Sequence, residues 1–194
     1  MFKYREMTES DNGVVAALVR DNLKRYKLDI PGTVYFDEGL DTLSDYYGND
    51  ERRYYVIEDD NGQVIGGIGF ARFELMEDTA ELQKLYLKDS AKGSGLGYKL
   101  IEFIEDRMRE AGYKVSYLET HDKLQAAIHI YEKKNDHGMG YCNHGYDRKK
   151  LIGLSSVFSQ NLGNSEKSPF FEYHPLTITQ RHSLDLLYQN LKGR

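Results

Sequence analysis

The sequence predicts an α/β fold in which helices pack against a mixed β-sheet. The chain has 194 residues, of which 40% are hydrophobic and 29% are charged, as expected for one soluble globular domain. Segments with alternating apolar residues are interspersed with segments whose apolar residues repeat at helical spacing. Turn signals rich in Gly, Asn and Asp separate these segments.

The first fifty residues predict a short strand and two helices. Residues 3–7 form the strand, and Thr8 or Ser10 caps a helix over residues 11–24, whose positive N-terminus suits the acidic residues nearby. A break at Ile30-Pro31-Gly32 precedes a second helix over residues 37–46. The apolar stripe of the first helix consists of Val14, Val15, Leu18 and Val19.

Three strands and a helix are predicted in the middle of the chain. Residues 53–58 (RYYVIE) and 63–73 (QVIGGIGFARF) form a hairpin around the turn signal DDNG. Residues 80–87 (AELQKLYL) form the next strand, and a helix over residues 97–111 ends at Gly112. The apolar stripe of that helix consists of Leu100, Ile101, Ile104 and Met108.

The last third of the chain gives weaker signals. Residues 115–119 predict a strand and residues 124–134 a helix, but no clear strand follows Lys134. Only seven of the 44 residues from Leu151 onward are charged, against 50 of the first 150. We therefore assign residues 1–150 to one domain and residues 151–194 to an atypical C-terminal extension. A last helix is expected at residues 179–191.

Composition argues against several classes of function. The formal net charge of -5 argues against a nucleic-acid binder, which would carry a basic face, and is compatible with a cationic substrate. No apolar run approaches the roughly 20 residues of a membrane span, and the first eleven residues lack the apolar core of a secretory signal. Cys142 is the single cysteine, which excludes an internal disulfide and favours a reducing, cytoplasmic setting.

The stretch AKGSGLGYKL holds Gly93, Gly95 and Gly97 on alternate positions between a strand and a helix. The N–H groups of a glycine-rich turn and the positive end of a helix together bind phosphate. The Walker pattern does not fit, because no Gly-Lys-Ser/Thr tripeptide occurs, and Tyr98 stands where the dinucleotide fingerprint needs glycine. A flexible turn is the alternative that the loop alone leaves open.

The residues around this loop resemble the GCN5-related N-acetyltransferases. The segment from Lys92 to Gly97 (KGSGLG) is similar to the family motif Q/R-x-x-G-x-G/A, with Lys in place of Gln or Arg. The later stretch YLETHDKLQAAIHIYEKK is similar to the second family signature, and DIPGTVYFDEGLD and VIGGIGFARFE are similar to a bacterial subgroup of small acetyltransferases. The resemblance covers about residues 2–134. It implies the GNAT fold, with a central, mostly antiparallel sheet, a splayed strand pair and flanking helices.

The resemblance implies a site for acetyl-CoA as co-substrate and no metal. The backbone of Leu85, Tyr86 and Leu87 would pair with the pantetheine amides, as a free strand edge pairs with an extended segment. The pyrophosphate would lie against Lys92, Gly93, Ser94, Gly95, Leu96, Gly97 and Tyr98.

The resemblance also implies a general base. Glu81, eleven positions before Lys92, matches a strand glutamate that removes a proton from the amine in relatives that have it. A solvated strand residue is the alternative, and Glu119 and His121 are further candidate bases.

Tyr131 matches the family tyrosine that donates a proton to the departing CoA thiolate. The alternative is an aromatic core residue on the helical stripe of Leu124 and Ile128. The motif favours the catalytic role.

The histidines near residue 140 do not form a convincing metal site. His137, Cys142 and His144 fall within eight residues, whereas a structural zinc site usually has four ligands in tighter pairs. The glycines between them indicate a loop.

The chain departs from the family pattern after Lys134. Asn135 and Asp136 stand where a Gly-Phe pair is usual, and residues 139–142 and 146–148 would form at most shortened closing strands. An incomplete sheet exposes an edge, which favours a homodimer through the C-terminal region.

The expected function is an N-acetyltransferase in which a primary amine of a small molecule or peptide attacks acetyl-CoA directly. Residues 24–47 would form the acceptor wall, where Asp29, Asp37, Glu38 and Asp41 attract positive charge or simply form an acidic surface. The alternative is a non-catalytic acyl-CoA-binding or protein-interaction module with the same fold.

Overall fold

A seven-stranded sheet forms the centre of the structure, a computed structural model that describes residues 2–157 except 32, 75, 122, 136–143 and 147–150. The strands are β1 (Lys3–Glu6), β2 (Arg52–Glu58), β3 (Val64–Arg72), β4 (Thr79–Leu87), β5 (Val115–His121), β6 (His144–Tyr146) and β7 (Leu151–Val157). The α-helices are α1 (Asn12–Arg25), α2 (Leu43–Tyr46), α3 (Leu96–Glu110) and α4 (Gln125–Asn135).

The order of strands across the sheet is β1-β2-β3-β4-β5-β7-β6. Only the β4–β5 pair is parallel among the described strands, and the other pairs are antiparallel. The predicted mixed, mostly antiparallel sheet with flanking helices is therefore confirmed. Among the described residues, none of the helices has the length and apolar character needed to span a membrane.

Each face of the sheet has its own hydrophobic core. On one face, the predicted stripe of α3 packs under β2, β3 and β4, and its four residues are at most 1% exposed. On the other face, α1 and the segment before β2 cover Tyr54 and Val56. Val14 differs from its prediction, because it lies at the edge of the buried face of α1 and is 36% exposed.

The pair β4–β5 is splayed. Thr79–Glu81 pairs with Val115–Tyr117, and the described ladder between the two strands goes no further, although β4 continues to Leu87 and β5 to His121. The separated halves of the two strands leave room for a ligand in the middle of the sheet.

Only the last part of the predicted second helix is an α-helix. A 3-10 turn covers Glu38–Thr42 and α2 contains only Leu43–Tyr46. Gly, Asp and Thr are poor helix formers, and they occupy three of the five positions of the turn.

The sheet does not end where the sequence predicted. β7 pairs with β5 along Val115–His121, and β6 pairs with the N-terminal half of β7, so the expectation of no clear strand after Lys134 is wrong. Gly153 and two serines weaken the alternating pattern of β7, and its pairing partner is distant in sequence. Residues 158–194, which include the predicted last helix, lie outside the described residues, as do His137 and Cys142.

Strand β1 is tied to the start of α1 by an ion-pair network. Arg5 donates to both carboxylate oxygens of Asp11 at 2.7 and 2.9 Å and to Glu58 at 2.6 Å. Thr8 donates its backbone N–H to Asp11 at 2.8 Å. The bonds from Arg5, followed by those from Thr8, lower the pKa of the buried Asp11 carboxyl to about 2.

We predict that Asp11→Asn destabilises the fold by about 2 kcal/mol at pH 7. Because the pKa of Asp11 is lower in the folded state, its contribution is complete above an unfolded pKa of about 4 and is lost as pH falls towards 2. Urea unfolding at pH 7 and pH 3 measures this, and the difference between variant and wild type should shrink at pH 3.

The control is Asp50→Asn, because Asp50 is a fully exposed partner of Arg53 and should contribute little to stability. Equal losses from both variants at pH 7 would contradict a special role for Asp11.

Candidate functional site

A cavity of about 420 Å³ lies beside the C-terminal half of β4, between α1 and the N-terminal parts of α3 and α4. Eight of the residues predicted to bind a cofactor line it: Leu85, Tyr86, Leu87, Lys92, Gly93, Gly95, Gly97 and Tyr98. Ser94 and Leu96 do not. The other lining residues are Asn22, Tyr26, Ala91, Leu124, Ala126, Ala127, His129 and Ile130.

The glycine loop has the left-handed backbone that its composition allows. Gly93 has a φ of 78° and Gly95, the N-cap of α3, a φ of 76°. A Cβ at either residue would have no heavy atom within 4 Å, so both glycines border open space. The first N–H groups of an α-helix have no acceptor within the helix, and together with the helix dipole they make the space at the start of α3 favourable for an anion.

The other residues of the loop hold it in place. The Ser94 hydroxyl donates to the Ala91 carbonyl at 2.7 Å and Leu96 is only 1% exposed, so both anchor the loop from within. A Cβ at Gly97 would come within 2.8 Å of the Ile130 side chain. Gly97 therefore allows α3 and α4 to pack closely.

Asn22 of α1 connects the loop to β4, a role that sequence reasoning missed. Its buried amide donates to the Leu18 carbonyl at 2.9 Å and to the Leu87 carbonyl at 3.1 Å, and its oxygen accepts from the Lys92 ammonium at 3.1 Å. The Lys92 ammonium also pairs with Asp89 at 2.8 Å. The signal in the sequence was an asparagine within the mostly apolar buried face of α1.

A β-bulge at Lys84 marks where β4 leaves β5. Gly67 pairs with Tyr86 and Gly69 with Gln83, so β4 has one residue more than β3 over this interval. Lys84 has a φ of 51°, which is uncommon for a residue with a side chain.

Tyr54 of β2 holds the bulge from the other side of β3. The Tyr54 side chain is 1% exposed, and its hydroxyl donates to the Lys84 carbonyl at 3.0 Å. The ring lies against Gly67 and Gly69, and a Cβ at either glycine would clash with the Tyr54 side chain. The close approach of the Tyr54 ring therefore explains why β3 has glycine at these two positions.

Glu81 lies at the last β4 position that pairs with β5. Its carboxylate accepts from the Gln83 amide at 2.5 Å, and the Gln83 oxygen accepts from the Tyr47 hydroxyl at 2.7 Å. Burial raises the pKa of Tyr47 well above its ordinary value, which keeps this phenol protonated as a donor. The chain of three groups fixes Glu81 at the point where the two strands separate.

Tyr131 is 3% exposed within the core that α3 and α4 form with the sheet, and it is not among the residues that line the cavity. The backbones of Glu119 and His121 belong to β5, on the other side of the splay. Glu81, Gln83 and Tyr47 do not line the cavity either. The polar group around Glu81 is therefore separate from the cavity and its glycine loop.

The predicted acceptor wall lies next to Glu81 and covers one face of the sheet. The carboxylates of this wall have different partners. Arg20 donates to both oxygens of Asp41, at 2.7 and 2.6 Å, and largely neutralises its charge. Asp37 instead interacts electrostatically with Lys84 and Tyr86. Among the described residues, no group of three or more His, Cys, Asp or Glu side chains is placed to hold a metal.

Comparisons of the sequence agree with this architecture. Residues 19–136 match the family model of the acetyltransferase (GNAT) family. The "Uncharacterized N-acetyltransferase YjgM" of Escherichia coli (strain K12) is 35% identical over 146 residues, which cover 72% of this chain and 87% of that protein.

Comparisons of the fold identify several solved acetyltransferases. A GNAT-family acetyltransferase from Staphylococcus aureus Mu50 has a TM-score of 0.68 at 16% identity, covering 81% of this chain and 99% of that one. The yncA protein from Salmonella typhimurium with acetyl-CoA has a TM-score of 0.64 at 17% identity, covering 84% and 96%. The spermidine N-acetyltransferase from Vibrio cholerae in complex with CoA and spermine has a TM-score of 0.60 at 17% identity, covering 80% and 95%.

We predict that Tyr54→Phe destabilises the fold by about 1–3 kcal/mol, because it leaves the Lys84 carbonyl without its donor inside the sheet. Urea unfolding measures the loss, and hydrogen exchange should show faster opening of the β4 amides around the bulge.

Tyr113→Phe is the matched control. The Tyr113 hydroxyl also donates to a backbone carbonyl, that of Glu51, at 3.0 Å, but at an exposed position where water replaces it. A loss for Tyr54→Phe no larger than for Tyr113→Phe would show that the bulge is stable without the hydroxyl.

Proposed function

The chain belongs to the GNAT family of acetyltransferases, and we propose that it transfers an acetyl group from acetyl-CoA to a primary amine of a small molecule or a peptide. The observation that supports this most is the position of the cavity. It brings together the end of β4 beyond its ladder with β5, the left-handed glycine loop and the N-terminus of α3, beside the splayed strands.

The features of the cavity match the parts of acetyl-CoA. The described ladder between β4 and β5 ends at Glu81, which leaves the Leu85–Leu87 segment available to hydrogen-bond an extended chain of amides as an added strand would. The open space over Gly93 and Gly95, at the positive end of α3, suits a pyrophosphate. Lys92 adds a positive charge that Asn22 and Asp89 hold at the cavity wall.

Acetyl-CoA supplies an activated acyl group, and the residues of this chain supply the proton transfers. Glu81 accepts a proton from the acceptor ammonium, directly or through water, because only the neutral amine attacks the thioester carbon. As the carbon–sulfur bond breaks, Tyr131 donates a proton to the CoA thiolate. Tyr131 lies in the core and does not line the cavity, so this role rests on the family motif.

One structural neighbour supports an amine as the acceptor. That protein, from Vibrio cholerae, is a spermidine N-acetyltransferase with CoA and spermine bound. By analogy of fold we infer a primary amine for this chain, entering over the acceptor wall and meeting Glu81 at the splay.

The rival function is an acyl-CoA-binding or protein-interaction module without turnover. A thiol-release assay with acetyl-CoA and a panel of polyamines, amino acids and peptides, combined with calorimetry of acetyl-CoA binding, separates the two. Turnover on any amine supports the enzyme, whereas tight binding with no turnover on the whole panel supports the rival. The predicted cytoplasmic setting, the homodimer and the absence of nucleic-acid or membrane partners remain predictions.

We predict that Gly95→Ala weakens acetyl-CoA binding by tenfold or more, because its Cβ enters the space that the pyrophosphate would occupy. Calorimetry measures this. The change also forces a side chain into a left-handed backbone, at about 1–2 kcal/mol of stability.

Gly62→Ala is the matched control for the backbone effect. Gly62 has a φ of 74°, and a Cβ there has nothing within 4 Å, but it lies in the β2–β3 hairpin turn away from the cavity. Equal acetyl-CoA affinities for the two variants would rule out the loop as the pyrophosphate site.

We predict that Glu81→Gln lowers kcat/KM for the amine by about 10²–10⁴-fold near neutral pH. Since the base is needed only while the amine is protonated, the loss should shrink as pH rises towards the pKa of the amine. A pH profile with the same loss at every pH would contradict the role of a base.

If Tyr131 is the proton donor to the CoA thiolate, Tyr131→Phe should lower kcat by about tenfold or more with little change in acetyl-CoA affinity. The control is Tyr55→Phe, a buried tyrosine of the same core on β2, which should keep the wild-type kcat. An unchanged kcat for Tyr131→Phe would leave Tyr131 as a packing residue.

A further inference from the structure

Lys84 combines two unfavourable features at the edge of the acceptor site. Its backbone is left-handed, with a φ of 51°, inside a strand. The two other non-glycine residues with positive φ, among those the structure describes, are Lys27 and Asp78, and both are exposed residues of turns. Strain of this kind inside a sheet persists where the surrounding structure enforces it, and it concentrates at functional sites.

The side chain of Lys84 is partly buried and lacks a close partner. Within the described part of the chain, its ammonium has no hydrogen bond and no carboxylate within ion-pair distance. Burial lowers the pKa of the ammonium, while the charges of Asp37 and Glu81 act in the opposite direction from farther away. A desolvated cation without a direct partner is costly unless a ligand completes its contacts.

The surrounding charges define what such a ligand would look like. Glu81, the proposed base, attracts the positive amine, and the Lys84 ammonium lies within electrostatic range of it. Two tyrosines beside these residues, Tyr47 and Tyr86, keep their hydroxyls neutral, because burial raises both pKa values, that of Tyr86 to about 12. The site therefore offers a small acceptor one positive group, Lys84, together with the carboxylates of Glu81 and Asp37.

We propose that the acceptor of this enzyme carries an anionic group next to its amine, as an α-amino acid does, and that Lys84 binds that group while Glu81 faces the amine. The proposal rests on the proposed function, since it describes the acceptor half of the same site. Lys84 is then a specificity-determining residue, and a polyamine, which has no anionic group, would be a poor acceptor.

A simpler role for Lys84 makes a different prediction. If its ammonium only balanced the charges of Asp37 and Glu81, its removal would change the rate on every amine by a similar factor. If it binds an anion on the acceptor, its removal affects only acceptors that have one.

The experiment compares each amino acid with the amine that differs from it only by loss of the carboxylate. The pairs are phenylalanine and phenethylamine, tyrosine and tyramine, and methionine and 3-(methylthio)propylamine, with spermidine as a further acceptor. The kcat/KM values of wild type, Lys84→Met and Lys84→Arg are measured with saturating acetyl-CoA. Comparing variant with wild type on each compound cancels the different basicity of the paired amines.

We expect Lys84→Met to lower kcat/KM on the amino acids by about tenfold or more and on the decarboxylated amines by less than about twofold. Lys84→Arg keeps the positive charge and should recover most of the activity on amino acids. Lys114→Met, which removes an exposed lysine paired with Asp78 at 2.6 Å, should change neither. Thermal unfolding of each variant checks that it is folded.

Equal losses on both members of each pair would overturn the proposal, as would a wild-type enzyme that acetylates spermidine but no amino acid. In both cases the N-acetyltransferase function would stand. Absence of turnover on every amine, with acetyl-CoA bound, would instead overturn the proposed function and this inference with it.

Discussion

The hydrogen bond from the Tyr54 hydroxyl to the Lys84 carbonyl is the interaction on which the geometry of the site depends. It holds the extra residue of β4, and that residue turns the strand away from β5 after only three paired positions. The bond is possible because Gly67 and Gly69 leave space for the tyrosine ring across β3. A side chain at either glycine would displace the ring, and the hydroxyl would lose its acceptor.

Helix α1 provides the second constraint, because it connects parts of the chain that are far apart in sequence. At its start, Asp11 binds Arg5 of β1, which also binds Glu58 of β2. In its last two turns, Asn22 binds both the end of β4 and Lys92 of the glycine loop. The position of the loop relative to β4 therefore depends on a helix that contributes few atoms to the cavity. A buried amide satisfied on both its donor and acceptor sides is well suited to such a connection.

The sequence allowed prediction of those features that depend on local patterns. Helical spacing identified the buried stripe of α3, and alternate glycines before a helix identified the loop in which the structure places Gly93 and Gly95 in the left-handed region. The contacts of Tyr54 with Lys84 and of Asn22 with Lys92 join residues 30 and 70 positions apart, and no local pattern reveals such pairs. Strand β7 was missed for the same reason, since its serines and glycine form a strand through pairing with β5.

Residues with left-handed backbone occur both at the proposed cofactor site and at the proposed acceptor site, but with different side chains. At Gly93 and Gly95 the backbone adopts positive φ without strain, and the missing side chains leave open space for the cofactor. At Lys84 the same backbone region is used although a glycine would relieve the strain and a buried charge would be avoided. A chain that uses glycine at two of these positions has no backbone reason to use lysine at the third. The side chain itself must then contribute, and a positive group near the proposed base contributes most when the acceptor brings an anionic group that binds it directly.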